Sequence, residues 1–353
     1  MARLGLGENW RCVFANDIDP MKCAAYRDNF GGDDLIEGSI ADLDADALPG
    51  DGVDLAWASF PCQDLSLAGA RGGMDGARSG LFFEFWRLIE ELRADARAPK
   101  IIVLENVPGL LTSNGGRDFE QIVRLLQGAG YDAAAGVLDA AAFTPQSRQR
   151  LFIVGFATSL SGKVRRRIIR NTDAPGFPMM ADWGAAQLPT PQAIRNTHLD
   201  DIIDWLHADW DNEPKTKTLI TQMTNLQRGR LDAIISSGAR RAGAGFRRTR
   251  REHGKAVQRF EARFDGLAGC LRTPAGGSSR QVLVAVEHGV VRTRLMSPRE
   301  AARLMGLPED YKLPDRPNAA LKLCGDGVCA PVVRWLAENI LEPALLPARA
   351  DAA

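Results

Sequence analysis

A chain of 353 residues, 45% apolar and 25% charged, is long enough for a large globular domain and a smaller one. No stretch approaches the roughly 18 apolar residues of a membrane span, and the first ten residues lack the basic start and apolar run of a secretory signal, so a cytoplasmic protein is expected. The 44 basic residues balance the 44 acidic ones, but residues 1–150 hold 14 against 23 and the remainder 30 against 21, an asymmetry that points to a polyanion-binding second half.

Taken in chain order, the first 155 residues alternate apolar runs with helical patterns. Strands are predicted at 12–15, 54–58, 101–105, 133–138 and 151–155, with helices at 20–29, 80–94 and 118–128. Such alternation predicts an α/β fold with a parallel, doubly wound sheet, whose ligands bind beyond the carboxyl ends of the strands. After Phe156 the pattern is less regular. A basic run of Arg240, Arg241, Arg247, Arg248, Arg250, Arg251 and Lys255 is punctuated by Gly and Ser, and a glycine-rich stretch follows at 273–281. This reads as a separate, loop-rich domain. Helical pattern resumes at 297–306, where Ser297 and Glu300 make a capping box, and a last helix is predicted at 331–338. The expected boundaries are therefore 1–158, 159–290 and a returning segment 291–353.

Three groups at predicted strand ends carry chemistry. Phe60-Pro61-Cys62-Gln63 follows the run 54–58. A cysteine there can be accessible and close to helix N-terminal amides, which favour the nucleophilic thiolate. Pro-Cys alone fits a buried structural cysteine as well. Leu104-Glu105-Asn106-Val107 places a carboxyl at another strand end, either as a proton donor or as a cap for the next turn. In Gln146-Ser147-Arg148-Gln149-Arg150, extended alternation puts Gln146, Arg148 and Arg150 on one face. Two guanidiniums there would grip a phosphate or a carbonyl oxygen, or stand solvated before the strand. The other cysteines, Cys12, Cys23, Cys270, Cys324 and Cys329, form no C-x-x-C pair, and the four histidines lie far from them in sequence. They read mostly as small buried hydrophobes, with no metal site expected.

In order and placement these motifs resemble the C5-cytosine DNA methyltransferase family. Residues 54–66 resemble its nucleophile motif, Arg78-Ser79-Gly80-Leu81-Phe82-Phe83 the motif after it, and Glu105-Asn106-Val107 its acid motif. Gln146–Arg150 matches Q-x-R-x-R. Arg294-Leu295-Met296-Ser297-Pro298-Arg299-Glu300 with Arg303-Leu304-Met305-Gly306, and Gly325-Asp326-Gly327-Val328, are similar to the motifs that follow the target-recognition domain. The resemblance implies a Rossmann-like methyltransferase sheet with a smaller target-recognition domain at 159–290. It implies methyl transfer from S-adenosylmethionine to carbon 5 of a flipped-out cytosine. Cys62 would add to carbon 6, Glu105 would protonate N3, and Arg150 would hold the exocyclic oxygen, with Arg148 supporting the site. Asp17 would bind the cofactor's ribose hydroxyls. Ile18, Ile40, Pro61 and Leu81 would line its pockets, with Ser39, Asp326 and Gly327 beside them. Gln63, Ser66 and Gln146, with Arg240, Arg241, Arg247 and Arg248 on phosphates, would contact double-stranded DNA.

Three departures are visible. The family opens with a strand and an F-x-G-x-G loop, whereas Met1-Ala2-Arg3-Leu4-Gly5-Leu6-Gly7 resembles the helix that follows them. The expectation is therefore a reading frame that begins upstream, a sheet without its first strand, and weakened cofactor binding. Ser39 stands where an Asp is usual, and Gly325-Asp326 where G-N is usual. The implied protein is monomeric, bacterial or phage, and associated with the nucleoid, with roles in restriction–modification, in a phage or as an orphan regulator all open. The alternatives are a tRNA cytosine-5 methyltransferase, disfavoured by the long basic insert, and a catalytically impaired DNA-binding remnant, disfavoured by the retention of Cys62, Glu105 and Arg150.

Overall fold

The computed structural model describes residues 1–60, 81–160, 185–192, 195–274 and 279–346. Its contacts divide the chain into two units. The larger comprises Leu6–Leu138, Gln149–Pro191 and Arg334–Ala353, and the smaller Met1–Gly5, Asp139–Arg148 and Gln192–Val333.

The larger unit opens with strand β1 (Ala15–Asp17), helix α2 (Pro20–Phe30) and strand β2 (Leu35–Glu37), after a first helix α1 (Ala2–Leu6) that begins in the smaller unit. β1 and β2 pair in parallel. The helix starts where local chemistry demands: the Asp19 carboxylate accepts the Met21 N–H, and Pro20 occupies the first turn. A five-stranded sheet follows, in the order β3 (Leu55–Ser59), β4 (Ile101–Asn106), β6 (Gln149–Ala157), β5 (Tyr131–Asp139) and β7 (Ala186–Gln187). β3 runs parallel to β4, but β6 runs antiparallel to it. The sheet is therefore mixed where a parallel one was predicted. The short link at 140–148 is the reason, since a parallel return needs a crossover of about a dozen residues or more.

Every residue of β4 is buried, as expected of a central strand covered on both faces. Helix α3 (Leu81–Ala94) turns Phe82, Trp86 and Ile89 toward it, and helix α4 (Arg117–Gly128) adds Phe119, Ile122 and Leu126. These spacings are those of a helix with one apolar stripe. Each such side chain contributes about 1.5–3 kcal/mol on burial. Gly155 lets α4 sit close, because a Cβ there would lie 2.8 Å from the Leu126 side chain.

The smaller unit contains an antiparallel sheet in the order β11 (Val290–Leu295), β10 (Val282–Glu287), β8 (Arg241–Glu252) and β9 (Lys255–Arg263). Helices Glu213–Thr221 and Asn225–Ser237 supply Leu219 and Leu231 to its apolar cluster, with Phe260, Val282, Val284 and Val286 from the strands. The basic run from Arg241 to Arg251 is thus strand, where its Gly and Ser punctuation suggested loop. Gly245 is what permits the close β8–β9 approach, since a Cβ there would meet the Glu261 carbonyl oxygen at 2.5 Å. The turn between the strands places His253 at φ 49° and Gly254 at φ 78°, the two positive angles of a tight hairpin. The predicted capping box is present: Ser297 caps the helix Pro298–Leu304, and Glu300 reaches back to the Ser297 N–H. Among the described residues no helix is long and apolar enough to cross a membrane.

Candidate active site

Glu105 is the fifth residue of β4, and the antiparallel register sets Asn106 opposite Leu151. Arg150, next to Leu151, therefore reaches Glu105: its Nε lies 3.1 Å from Oε1, and the two side chains are only 17% and 10% exposed. With little water to screen them, the pair holds a carboxyl group and a guanidinium in fixed orientation at the end of a rigid strand. Asn106, buried beside them, donates from Nδ2 to the Phe60 carbonyl at 2.9 Å and accepts the Val107 N–H on its own oxygen. The Phe60 ring packs on Phe82, with centroids 5.2 Å apart. The chain is thus tethered two residues before Cys62. Asn106 was not singled out as a site residue from sequence; the available signal was an Asn directly after a strand-end acid.

Pro61, Cys62, Gln63 and Ser66 lie outside the described residues. The other five cysteines are reduced thiols, and Cys23, Cys324 and Cys329 are buried. Burial pushes the Cys324 thiol up to about 12 and the Cys329 thiol up to about 11. Such thiols stay protonated at neutral pH and make poor nucleophiles.

Gln146 and Arg148, expected to share a face with Arg150, are both buried and both bind Leu271. Gln146 is fully buried: its Nε2 donates to the Leu304 carbonyl at 2.9 Å, and its oxygen accepts the Leu271 N–H. Its amide is thus already partnered within the protein. Arg148 is 2% exposed, and its guanidinium donates to the carbonyls of Leu271, Gly325 and Gly327 at 3.0, 2.9 and 2.6 Å. It does not stand at the surface to grip an anion; it stitches residues 270–271 to the Gly325–Gly327 turn. Arg148→Met should leave these buried carbonyls short of partners and lower unfolding stability by about 1–3 kcal/mol per orphaned group, read from urea midpoints.

In the larger unit, Asp17 and Ile18 lie at the end of β1, Ser39 and Ile40 follow β2, and Leu81 begins α3. One Asp17 oxygen accepts the Asp19 N–H at 2.9 Å, and the Asp17 carbonyl accepts the Gly38 N–H. Ser39 caps the short turn Ile40–Asp42 through the Ala41 N–H, and α3 packs on that turn. Ile18 is 64% exposed and Leu81 38%. An acid, a hydroxyl and an outward Ile18 at the strand ends of one βαβ unit form a donor set that fits a nucleoside with its ribose hydroxyls. In the smaller unit, Asp326 accepts a hydrogen bond from the Thr273 hydroxyl, and the Gly327 carbonyl accepts from Arg148.

The basic run is not uniformly available. Arg240 lies 3.2 Å from Glu287 and 4.2 Å over the Trp205 ring, and Arg241 lies 3.2 Å from Asp200. Arg248 and Arg250 both bind Glu261. Arg247 is exposed and has no acidic partner among the described residues. These carboxylates are far from their arginines in sequence, so no local pattern announced them. A further feature escaped the sequence: Arg292 and Arg294 both lie over Trp210, at 4.6 and 4.7 Å.

Against known proteins, the family model described as C-5 cytosine-specific DNA methylase matches residues 2–342. Type II methyltransferase M.Bsp6I of Bacillus sp. (strain RFL6) is 30% identical over 342 residues, 94% of this chain and 92% of that protein. Type II methyltransferase M1.ScrFI of Lactococcus lactis subsp. cremoris is 29% identical over 344 residues, 95% of this chain and 73% of that protein. The solved structure of S. pombe Dnmt2 methyltransferase is similar in fold, with a TM-score of 0.60 over 95% of this chain and 92% of that one at 17% identity. The chain belongs to the C-5 cytosine-specific DNA methylase family and is a DNA (cytosine-5-)-methyltransferase whose methyl donor is S-adenosylmethionine.

Proposed function

We propose that this enzyme methylates a cytosine flipped out of duplex DNA, through a covalent bond between the Cys62 sulfur and carbon 6 of the base. The observation that carries the reading is the mostly buried Glu105–Arg150 pair, beside an Asn106 that tethers Phe60, two residues before Cys62. Carbon 5 of cytosine is a weak nucleophile until another group adds to carbon 6. The Cys62 thiolate supplies that addition, and the displaced electron pair moves toward N3. Glu105 donates a proton to N3, and Arg150 binds the exocyclic oxygen, so that both neutralise charge as it develops. Carbon 5 then takes up the methyl group. Loss of the carbon 5 proton to a base expels the sulfur and restores the aromatic ring.

Bound S-adenosylmethionine supplies an electrophilic methyl group. Asp17 holds its ribose hydroxyls, while Ile18, Ile40, Pro61 and Leu81 pack on its apolar parts beside Ser39. Asp326 and Gly327 belong to the turn that Arg148 secures. The relatives' names as Type II methyltransferases support a role in restriction–modification.

A duplex carrying 5-fluorocytosine tests the mechanism, because fluorine at carbon 5 cannot leave as a proton would. With S-adenosylmethionine present, the wild-type chain should form a denaturant-stable complex whose mass equals protein plus methylated DNA. Cys62→Ser should form none and should lose methyl transfer while still retaining DNA. Turnover by Cys62→Ser removes the cysteine from its role. Methylation of tRNA in preference to duplex DNA by the wild-type chain favours the RNA substrate instead.

A further inference from the structure

Strands β8 and β9 run on beyond the sheet that anchors them. β10 pairs with β8 only at Arg241–Gly245. The β8–β9 pairing continues to Glu252 opposite Lys255. Residues 246–252 and 255–261 therefore form a two-stranded ribbon, rooted by the buried rings of Phe246 and Phe260. At about 3.4 Å per residue its free part, from Arg247 outward, is roughly 20 Å long. The major groove of B-DNA, about 12 Å wide, admits a two-stranded ribbon of this kind.

The two faces of the ribbon differ electrostatically. On one, Arg248 and Arg250 share Glu261, and Arg259 forks onto Glu252, with Nε 2.7 Å from the carboxylate. These cations are matched within the protein. The alternate residues of β8 are Arg247, Thr249 and Arg251, with Gln258 opposite Thr249. There the Gln258 amide donates to the Thr249 hydroxyl at 2.7 Å. Arg247 and Arg251 are exposed, and neither has an acidic partner among the described residues. The result is a strip in which two unneutralised guanidiniums flank a polar pair, in steps of about 7 Å.

We infer that this strip is a base-reading surface for duplex DNA, with Arg247 and Arg251 set against guanine edges or phosphates in the major groove and Gln258 between them. The inference rests on the DNA-methyltransferase reading and deepens it. An arginine fork matches the O6 and N7 acceptors of guanine, and a glutamine amide matches N6 and N7 of adenine. The opposite face, already compensated, gives rigidity to the ribbon and little affinity.

The test selects duplexes from a random-sequence pool by retention on the wild-type chain, then measures binding of the selected and unselected duplexes across a salt series. Arg247→Ala with Arg251→Ala should lower affinity for selected duplex at least tenfold, and for the unselected pool less. The slope of log affinity against log salt should become shallower by about 0.9 for each phosphate that is no longer neutralised. Arg250→Ala with Arg259→Ala, whose cations Glu261 and Glu252 already match, should stay within about twofold of wild type. Arg247→Lys, which keeps the charge on a surface strand, should bind the unselected pool normally and lose discrimination. The inference is overturned if the first double variant discriminates as wild type does, or if the second loses discrimination instead. If the wild-type chain retains no duplex, whether or not it retains tRNA, the DNA reading falls together with the inference. Loss of the inference alone shows as duplex binding that ignores Arg247 and Arg251.

Discussion

Glu105→Gln is expected to slow methyl transfer by about 10²–10⁴-fold, the range that one positioned proton donor contributes. The substitution keeps the shape of the side chain and its ability to accept a bond from Arg150, now 3.1 Å from Glu105 Oε1. It removes the transferable proton. In the proposed mechanism the group acts on N3 only once Cys62 has added, so the loss should fall on the single-turnover rate, with DNA affinity changed much less. Glu105→Ala should be worse for a second reason, since it strands a mostly buried guanidinium without its carboxylate. A Glu105→Gln enzyme within threefold of the wild-type rate would show that the proton comes from elsewhere. The measurement is transfer of labelled methyl groups to duplex DNA under excess enzyme, beside a melting curve that establishes folding.

The second large effect concerns stability. Arg294 and Glu300 are 2% and 0% exposed, and the guanidinium meets the carboxylate in a fork at 2.7 and 2.6 Å. The carboxylate also accepts the N–H groups of Asp204 and Ser297, at 2.7 and 2.8 Å, and Arg294 returns a bond to the Asp204 carbonyl at 2.8 Å. Glu300→Ala should cost about 3–5 kcal/mol, because a buried cation is left without its partner. Replacing both members with apolar residues, Arg294→Met with Glu300→Leu, should recover part of that loss. A loss below about 1 kcal/mol for Glu300→Ala, read from urea midpoints, would show that water reaches the site.

The same pair sets a pH dependence. Burial alone pushes the Glu300 carboxyl up. The Arg294 guanidinium and the N–H groups of Ser297 and Asp204 more than offset that, holding it below its ordinary value of 4.5. The folded value is thus depressed, so the stabilisation is fully present above pH 4.5 and is lost as pH falls through the folded value. Stability profiles of wild type and Glu300→Gln should therefore converge below pH 4.5 and separate above it.

Much of this protein is legible in its amino-acid order. The Asp19 cap and Pro20, the Ser297–Glu300 box and the unbroken apolar run of β4 all act through near neighbours, so sequence spacing is sufficient to place them. The chemical groups at strand ends are legible for the same reason: a carboxyl after an apolar run lies at the end of a strand whichever way the neighbouring strands run. The resemblance then supplies roles for Cys62, Glu105 and Arg150, and the family match bears on the whole pattern from residue 2 to 342.

The remaining features depend on partners distant along the chain. Arg148 and Arg150 differ by two residues and look equivalent in the motif. One is buried on the carbonyls of Leu271, Gly325 and Gly327, whereas the other meets Glu105 across an antiparallel register. Likewise Arg247 and Arg248 are adjacent, yet only Arg248 meets Glu261. For Arg247 and Arg248 the physical reason is that side-chain direction along a strand alternates with period two, whereas Arg148 precedes β6 and Arg150 lies within it, so each meets partners that spacing alone does not set. Local spacing determines which groups the chain carries and where its elements begin. Long-range pairing determines which of those charges are neutralised inside the protein and which remain for a ligand.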